Sequence, residues 1–391
     1  MDTEYDVIVV GAGPVGLSLA LGVARAGYRV IVLERNAATA EHSRAPAIWP
    51  RTQEVLDSLD VMDAFAERGT VRERLALHDV DKGRDALVLP LTELAGETPR
   101  PSLLILPQSQ TERLLAEALQ RHEHAEIRFN SEAVSVIQTD EGVQVTCRDA
   151  VGTERTLSAS FVAGCDGAHS TVREAIGATL EGVTYDLVVA LADVKLDGVD
   201  DLPFPRFSTR GGVVLAVRMG GGLWRLILPF AAAEDSALDT RVHDAVSRLF
   251  PAQQDGSDRP FDSVWQSEFR LHCRMSTRWV DGRIALAGDA AHLNSPVGGQ
   301  GMNAGIQDAE ALTGALCDAL KDGTPAPLED YARRRRGAAR EVNRFTDRLT
   351  RGLLFSRGRF IRPALRVASL LLRIPALRRR SLRRVAMLHG D

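Results

Sequence analysis

The sequence predicts an α/β protein: a parallel-sheet domain built from separated segments, an inserted mixed or antiparallel sheet domain, and a helical C-terminal tail. Three observations predict it. An apolar run, a glycine-rich turn, an apolar helical stretch and a second apolar run make a complete β-α-β unit within residues 5–34. Alternating stretches at 212–218 and 223–229 have the period of an antiparallel sheet. The parallel-strand texture then returns at 283–287 (RIALA).

In chain order, residues 5–10 (YDVIVV) read as a buried parallel strand, followed by Gly11-Ala12-Gly13-Pro14-Val15-Gly16 and a helix to about Ala26. Gly27 stops that helix, and 29–33 (RVIVL) is a second strand ending at Glu34. Residues 36–50 form a loop containing Arg44, and a helix starts near Arg51. Strands and connections fill 71–100; then come a short strand at 103–106, a helix from Gln108 to Arg121 and alternating strands over 125–165. A loop and short helix span 167–177. Leu238, Val242, Val246 and Leu249 are spaced for one amphipathic helix. Helix resumes over about 301–320. The expected division is 1–75, 101–180 and 272–330 for the parallel-sheet domain, 76–100 and 181–271 for the inserted domain, and 331–391 for the helical tail.

The totals exclude several classes. A net charge of -4 gives no global case for nucleic acid. No run of 18 uncharged apolar residues exists, so no transmembrane helix is expected. The acidic N-terminus runs straight into a strand pattern and fits no signal peptide, so a cytoplasmic location is expected. Cys147, Cys165, Cys273 and Cys317 are far apart with no C-x-x-C pair; reduced thiols are expected, with one disulfide left open.

Gly11, Gly13 and Gly16 form G-x-G-x-x-G between a strand and a helix, a Rossmann-type arrangement. The first glycine allows the tight turn, the second lets backbone approach a pyrophosphate, and the third lets helix and strand pack closely. The helix N-terminus offers free N–H groups and partial positive charge to phosphates. Glu34 ends the second strand, where a carboxylate can accept ribose hydroxyls. A 2′-phosphate would meet a like charge there, which disfavours NADP at this site and leaves FAD or NAD.

Two further motifs follow: Cys165-Asp166-Gly167-Ala168-His169-Ser170-Thr171-Val172-Arg173, and Gly288-Asp289-Ala290-Ala291-His292 running on to Pro296-Val297-Gly298-Gly299-Gln300-Gly301-Met302-Asn303. With the glycine triplet and Glu34, in this order, they resemble the motifs of the class A flavoprotein monooxygenases, FAD-dependent aromatic hydroxylases with the p-hydroxybenzoate hydroxylase fold. The resemblance covers nearly the whole chain. The residues agree physically: Asp289 ends a strand and can bond ribityl or ribose hydroxyls, Ala290 and Ala291 leave room near the backbone, and a helix starting near Met302 can stabilise negative charge on a reduced flavin. The resemblance implies FAD as cofactor, held by Gly11, Gly13, Gly16, Glu34, Arg35, Arg44, Gln108, Asp166, Asp289, Pro296, Gly299, Gly301, Met302 and Asn303. Arg44 matches a loop arginine at the FAD phosphates, Gln108 a flavin-contacting glutamine, and Asp166 an aspartate serving both FAD and NADPH. Arg173 reads as holding Asp166 or its loop, and His292 as structural.

No second β-α-β dinucleotide unit is evident, so NADPH or NADH must bind transiently as co-substrate. The resemblance implies that reduced FAD captures O2 and that a flavin C4a-hydroperoxide hydroxylates a phenolic or polycyclic aromatic. Baeyer–Villiger insertion, epoxidation, FAD-dependent reduction or dehydrogenation of an isoprenoid-type substrate, and a non-enzymatic FAD-binding partner stay open. The tryptophan stretch of flavin halogenases is absent; Trp224-Arg225-Leu226-Ile227-Leu228-Pro229 is not it. Pocket walls are expected from 181–230 and the Pro296 turn, with Phe204, Phe207, Trp224 and Phe230 as candidate liners and His272 as a possible substrate contact; no catalytic side chain is assigned. The tail from Arg333 to Arg384 has only Glu341 and Asp347 as acids, interleaved with Leu353, Leu354, Phe355, Leu370, Leu371, Leu372 and Ile374, and Pro363 and Pro375 interrupt its pattern. It reads as a helical cover over the FAD-binding domain, with peripheral membrane contact as the second reading. A monomer or homodimer is expected.

Overall fold

The computed structural model describes residues 4–41, 45–199, 201–230, 237–251, 260–353 and 360–388. Arg44, Leu354 and Phe355 lie outside the described residues.

The apolar runs of the first unit pair as strands of one sheet. Its order is Val280–Asp281, Ile284–Leu286, Glu154–Gly164, Tyr5–Val10, Val30–Leu33, Ala125–Arg128. Tyr5–Val10 runs parallel to both neighbours, and Ile284–Leu286 parallel to Glu154–Gly164. Val7, Ile8, Val9, Val30, Ile31 and Val32 have no exposed surface. Burial on both sheet faces is why these strands read as unbroken apolar runs. The strands Ser131–Gln138 and Val143–Asp149 attach as an antiparallel extension of Glu154–Gly164.

The second sheet is mixed. Its order is His292–Leu293, Asp262–Ser276, Leu180–Lys195, Leu223–Phe230, Val214–Gly220, Arg206–Ser208, Arg74–Asp79, Arg84–Pro90. One face carries Ala190, Ala192, Val194, Trp224, Leu226 and Leu228 and packs on Val242, Val246 and Leu249 of the Leu238–Leu249 helix. The opposite face carries Leu187, Val189, Leu191 and Leu271, which cluster with Val297 of the glycine-rich turn. The period-2 pattern thus sends one set of side chains to a helix and the other toward the first sheet's loops.

Helices Gly301–Asp322 and Ala326–Leu353 join the two parts. Tyr331, fully buried, donates its hydroxyl to the Leu286 carbonyl at 2.7 Å. The expected cover over the FAD-binding domain is only part of the tail's packing. Leu382, Ala386 and Met387 pack with Trp49, Leu91, Leu94 and Ile105, whereas Ile361 and Leu365 pack on Phe207 and Val213, beside Leu77 and Leu87 of the second sheet. Pro363 and Pro375 do not break helices. They fall in the first turns of Ile361–Leu371 and Pro375–Val385, where a missing N–H costs no intrahelical bond. All four cysteines are free, and no helix among the described residues is long and apolar enough to cross a membrane.

Candidate functional site

Three turns meet at the C-terminal edge of the first sheet. In the first, Gly11 has φ +104, and a Cβ there would lie 2.5 Å from the Cys165 carbonyl oxygen; a Cβ on Gly16 would lie 1.9 Å from the Gly11 oxygen. Both glycines are therefore demanded by the protein itself. Gly13 differs: a Cβ there meets nothing within 4 Å. It faces open space at the start of helix Pro14–Arg25, whose first turn has no acidic residue and no side-chain cap. Uncapped N–H groups around an unobstructed glycine suit a pyrophosphate.

Glu34 spans the same turn. Its Oε2 accepts the Ala12 N–H at 2.8 Å, and its Oε1 accepts the Asn36 backbone N–H at 2.9 Å and Nδ2–H at 2.6 Å. The carboxylate is fixed in place and keeps lone pairs for ribose hydroxyls. Arg35 beside it is exposed.

The second turn follows Glu154–Gly164. The Cys165 N–H bonds the Val10 carbonyl at 2.8 Å, setting the two turns side by side. Asp166 Oδ2 accepts the Val172 N–H at 3.2 Å, but Oδ1 is buried with no partner. Burial raises this carboxyl above its ordinary range, against hydrogen bonds from Ser170 and Val172 that lower it. The unpaired oxygen leaves an acceptor that a polar ligand's hydroxyl could use. Arg173 donates to the carbonyls of Ala168 at 2.8 Å and Ala290 at 3.1 Å, so it ties this loop to the third turn.

In the third turn, Asp289 is exposed while Gly288, Ala290 and Ala291 are buried. The two alanines point into the core, so their smallness serves packing and not room for a ligand. Gly299 closes a turn onto Pro296, its N–H to that carbonyl at 3.0 Å, with φ +94 at Gly298 and +62 at Gly299. Helix Gly301–Asp322 then begins with neither a side-chain cap nor an acid in its first turn. Met302 packs against the first core. Asn303, expected at the cofactor, spends its side chain inside the protein: Oδ1 accepts the Trp49 N–H at 2.8 Å, and Nδ2 donates to the Ala47 and Gly299 carbonyls, each at 2.8 Å. It shapes the turn. Gln108 similarly donates to Glu112 at 2.8 Å, and Glu112 accepts the Ala40 N–H at 2.8 Å, anchoring the 36–41 loop.

Sequence reasoning missed the group beneath the third turn. Asp308, with no exposed surface, accepts from Gly288 N–H at 3.2 Å, Arg335 Nε at 2.6 Å and His292 Nε2 at 2.7 Å. Burial alone would raise its carboxyl, but Arg335 and His292 hold it below the ordinary range. His292 stacks on Trp279 at 5.4 Å, which agrees with its expected structural role. An aspartate four residues from both Ala304 and Leu312, on the buried side of its helix, was the available signal.

On the second sheet, the expected liners Trp224 and Phe207 are core residues, and Phe204 and Phe230 pack against the helix-side core. The aromatics on the face that meets Val297 are Tyr185, Trp265 and Phe269. His272 does not join that face; strand alternation gives Leu271 and Cys273 to it. His272 Nδ1 instead lies 3.0 Å from Thr184 Oγ1. Burial, then the positive charges of Arg274, Arg270 and His169, push it below its ordinary value. Alternation puts Arg270 and Arg274 on His272's side of the strand, so two arginines stand there.

The residues therefore fit a dinucleotide that extends from the Gly13 turn to the Gly299 turn. Comparisons with known proteins agree. The model of a family described as FAD binding domain matches residues 4–346. An uncharacterised aromatic compound monooxygenase of Bacillus subtilis (strain 168) is 33% identical over 359 residues, 91% of this chain and 70% of that protein. A para-nitrophenol 4-monooxygenase of Pseudomonas sp. (strain WBC-3) is 33% identical over 344 residues, 86% of this chain and 84% of its own length. The crystal structure of p-nitrophenol 4-monooxygenase from Pseudomonas putida DLL-E4 superposes with a TM-score of 0.90 at 29% identity, covering 100% of both chains.

Proposed function

Because this chain belongs to the FAD-dependent aromatic monooxygenases that carry the FAD binding domain, we propose that it takes electrons from NADPH or NADH and uses O2 to hydroxylate a phenolic or polycyclic aromatic ring. Per turnover, one oxygen atom enters the substrate, the other leaves as water, and the nicotinamide is oxidised. When bound, FAD supplies the redox chemistry and the activation of O2.

The protein's share is binding and exclusion of water. Gly11, Gly13, Gly16 and Glu34 would hold the adenosine and pyrophosphate end, with Asp166 and Asp289 toward the ribityl chain. The N-terminus of Gly301–Asp322 would offer unpaired N–H groups at the ring end, worth about 0.3–2 kcal/mol toward a negative charge there. The observation that carries the reading is the contact of Val297, in the third turn, with the apolar sheet face of Leu187, Val189, Leu191, Leu271 and Ile227. An apolar wall rimmed by Tyr185, Trp265 and Phe269 suits an aromatic ring and a dry reaction site. The strip of Arg270 and Arg274, on either side of His272, suits the phosphates of the transient nicotinamide nucleotide.

The test is anaerobic mixing of the yellow protein with NADPH or NADH, with and without a panel of phenols and polycyclic aromatics. Faster flavin bleaching with one aromatic supports the reading. Bleaching that no aromatic accelerates, with electrons passed to an isoprenoid-type substrate without O2, assigns a dehydrogenase or reductase.

A further inference from the structure

The Ile361–Leu371 helix is apolar on two sides. Ile361 and Leu365 pack on the second sheet. With about 3.6 residues per turn, Pro363, Val367 and Leu370 fall on the opposite side, with Leu371 next to them. Beyond Leu371 the chain turns: the N–H groups of Leu372, Arg373 and Ile374 reach the carbonyls of Ala368, Leu370 and Leu371, and Ile374 is extended as the N-cap of Pro375–Val385. Val367 is 57% exposed, Leu370 62% and Ile374 50%. Eleven large hydrophobics are exposed among the described residues, and six of them (Phe360, Val367, Leu370, Leu371, Ile374 and Leu377) fall between 360 and 377. The other five are scattered singly. A scattered apolar side chain needs no explanation, but a contiguous group marks an interaction face.

Charge narrows the occupant. The tail's arginines fall into two sets. Arg362 bonds Asp79 and Asp81, Arg378 bonds Glu93, and Arg379 and Arg383 pair with Glu97; these fasten the helices to the body. Arg366 and Arg373, on the flank of the apolar stripe, and Arg380 in the next helix are exposed and have no acidic partner among the described residues. No Asp or Glu occurs from Arg348 to Gly390. The occupant must be apolar at its centre and negative at its rim. A second copy docked by a twofold axis through this face would bring the same acid-free patch, and so no carboxylate for Arg366 or Arg373.

We propose that this face is the seat for an anionic lipid bilayer, with Val367, Leu370, Leu371 and Ile374 entering the headgroup–acyl boundary and Arg366, Arg373 and Arg380 meeting the lipid phosphates. Seated this way, the second sheet lies one helix diameter, about 10 Å, from the headgroups. The proposal does not rest on the reaction assigned above.

The test is co-sedimentation of the full FAD-loaded chain with vesicles of phosphatidylcholine alone or with added phosphatidylglycerol. Binding to the anionic vesicles about ten-fold tighter or more, weakening as salt rises, is expected. The doubles Leu370→Asp with Ile374→Asp, and Arg366→Glu with Arg373→Glu, should each lose about ten-fold in binding, with melting temperature and flavin absorbance unchanged because all four side chains are exposed. No partition, equal partition onto both vesicle types, or wild-type binding by both doubles overturns the proposal. A vesicle-free dimer that the leucine–isoleucine double converts to monomer assigns the face to a second copy and overturns it too.

Discussion

Asp308→Asn removes the charge that gathers three donors under the third turn. The carboxylate receives Gly288 N–H, His292 Nε2 and Arg335 Nε; an amide of the same shape has one acceptor and brings its own donors against theirs. Breaking a buried ion pair by removing one partner costs about 3–5 kcal/mol. The lower end applies, because Arg335 keeps the Ala304 carbonyl at 3.2 Å and its side chain is 13% exposed. A loss of about 3 kcal/mol lowers the melting temperature of a chain of this length by about 4 °C. Loss of the Gly288 bond loosens the turn that carries Asp289, at about 1 kcal/mol per hydrogen bond, or about five-fold in FAD affinity. The acid limb changes as well. Asp308's folded pKa is lowered, so its contribution is present above the unfolded value of about 3.9 and is lost as pH falls below that through the folded value. Wild type should therefore lose more stability than the variant in that window. The assay is thermal melting of FAD-stripped protein from pH 7 downward, followed by FAD titration. A variant apoprotein melting within about 1 °C of wild type, with unchanged FAD affinity, refutes the reasoning.

Three other substitutions separate ligand contacts from packing. Gly13→Ala should leave the apoprotein's melting intact and weaken FAD, whereas Gly16→Ala, whose Cβ meets the Gly11 oxygen at 1.9 Å, should destabilise the apoprotein itself; equal melting of the two variants contradicts the distinction. Glu34→Ala should weaken FAD by about 1.5–3 kcal/mol through lost charged hydrogen bonds, and an unchanged Kd by flavin fluorescence would sink that assignment. Arg270→Glu should raise KM for NADPH or NADH about ten-fold or more with FAD content and kcat largely kept; steady-state oxidation kinetics with an unchanged KM removes the cationic strip from nucleotide binding.

The first sheet was legible because its strands are buried on both faces and so are unbroken apolar runs, such as 7–10 (VIVV) and 30–33 (VIVL). The glycine turn was legible because Gly11 and Gly16 are required by backbone contacts that any chain of this topology makes. Side-chain direction was harder. Ala290 and Ala291 were read as space for a cofactor, yet face the core. His272 falls on the strand face away from Val297 because its neighbours Leu271 and Cys273 take the other. Asn303 and Gln108 carry motif identity, but their amides bond Trp49, Ala47, Gly299 and Glu112. Gln108–Glu112 and Asn303–Gly299 are four residues apart, but the Asn303 bonds to Trp49 and Ala47 span 254 and 256 positions, and no local pattern encodes those. The exposed side of Ile361–Leu371 was hidden for the same reason: apolar spacing alone does not say which of two apolar faces finds a partner.

The central claim is tested most directly by turnover under labelled O2. With the aromatic that accelerates flavin reduction, the account predicts one labelled oxygen atom in the product for each NADPH or NADH and each O2 consumed. A product that carries no labelled oxygen, or an oxidised substrate formed without O2 uptake, contradicts it.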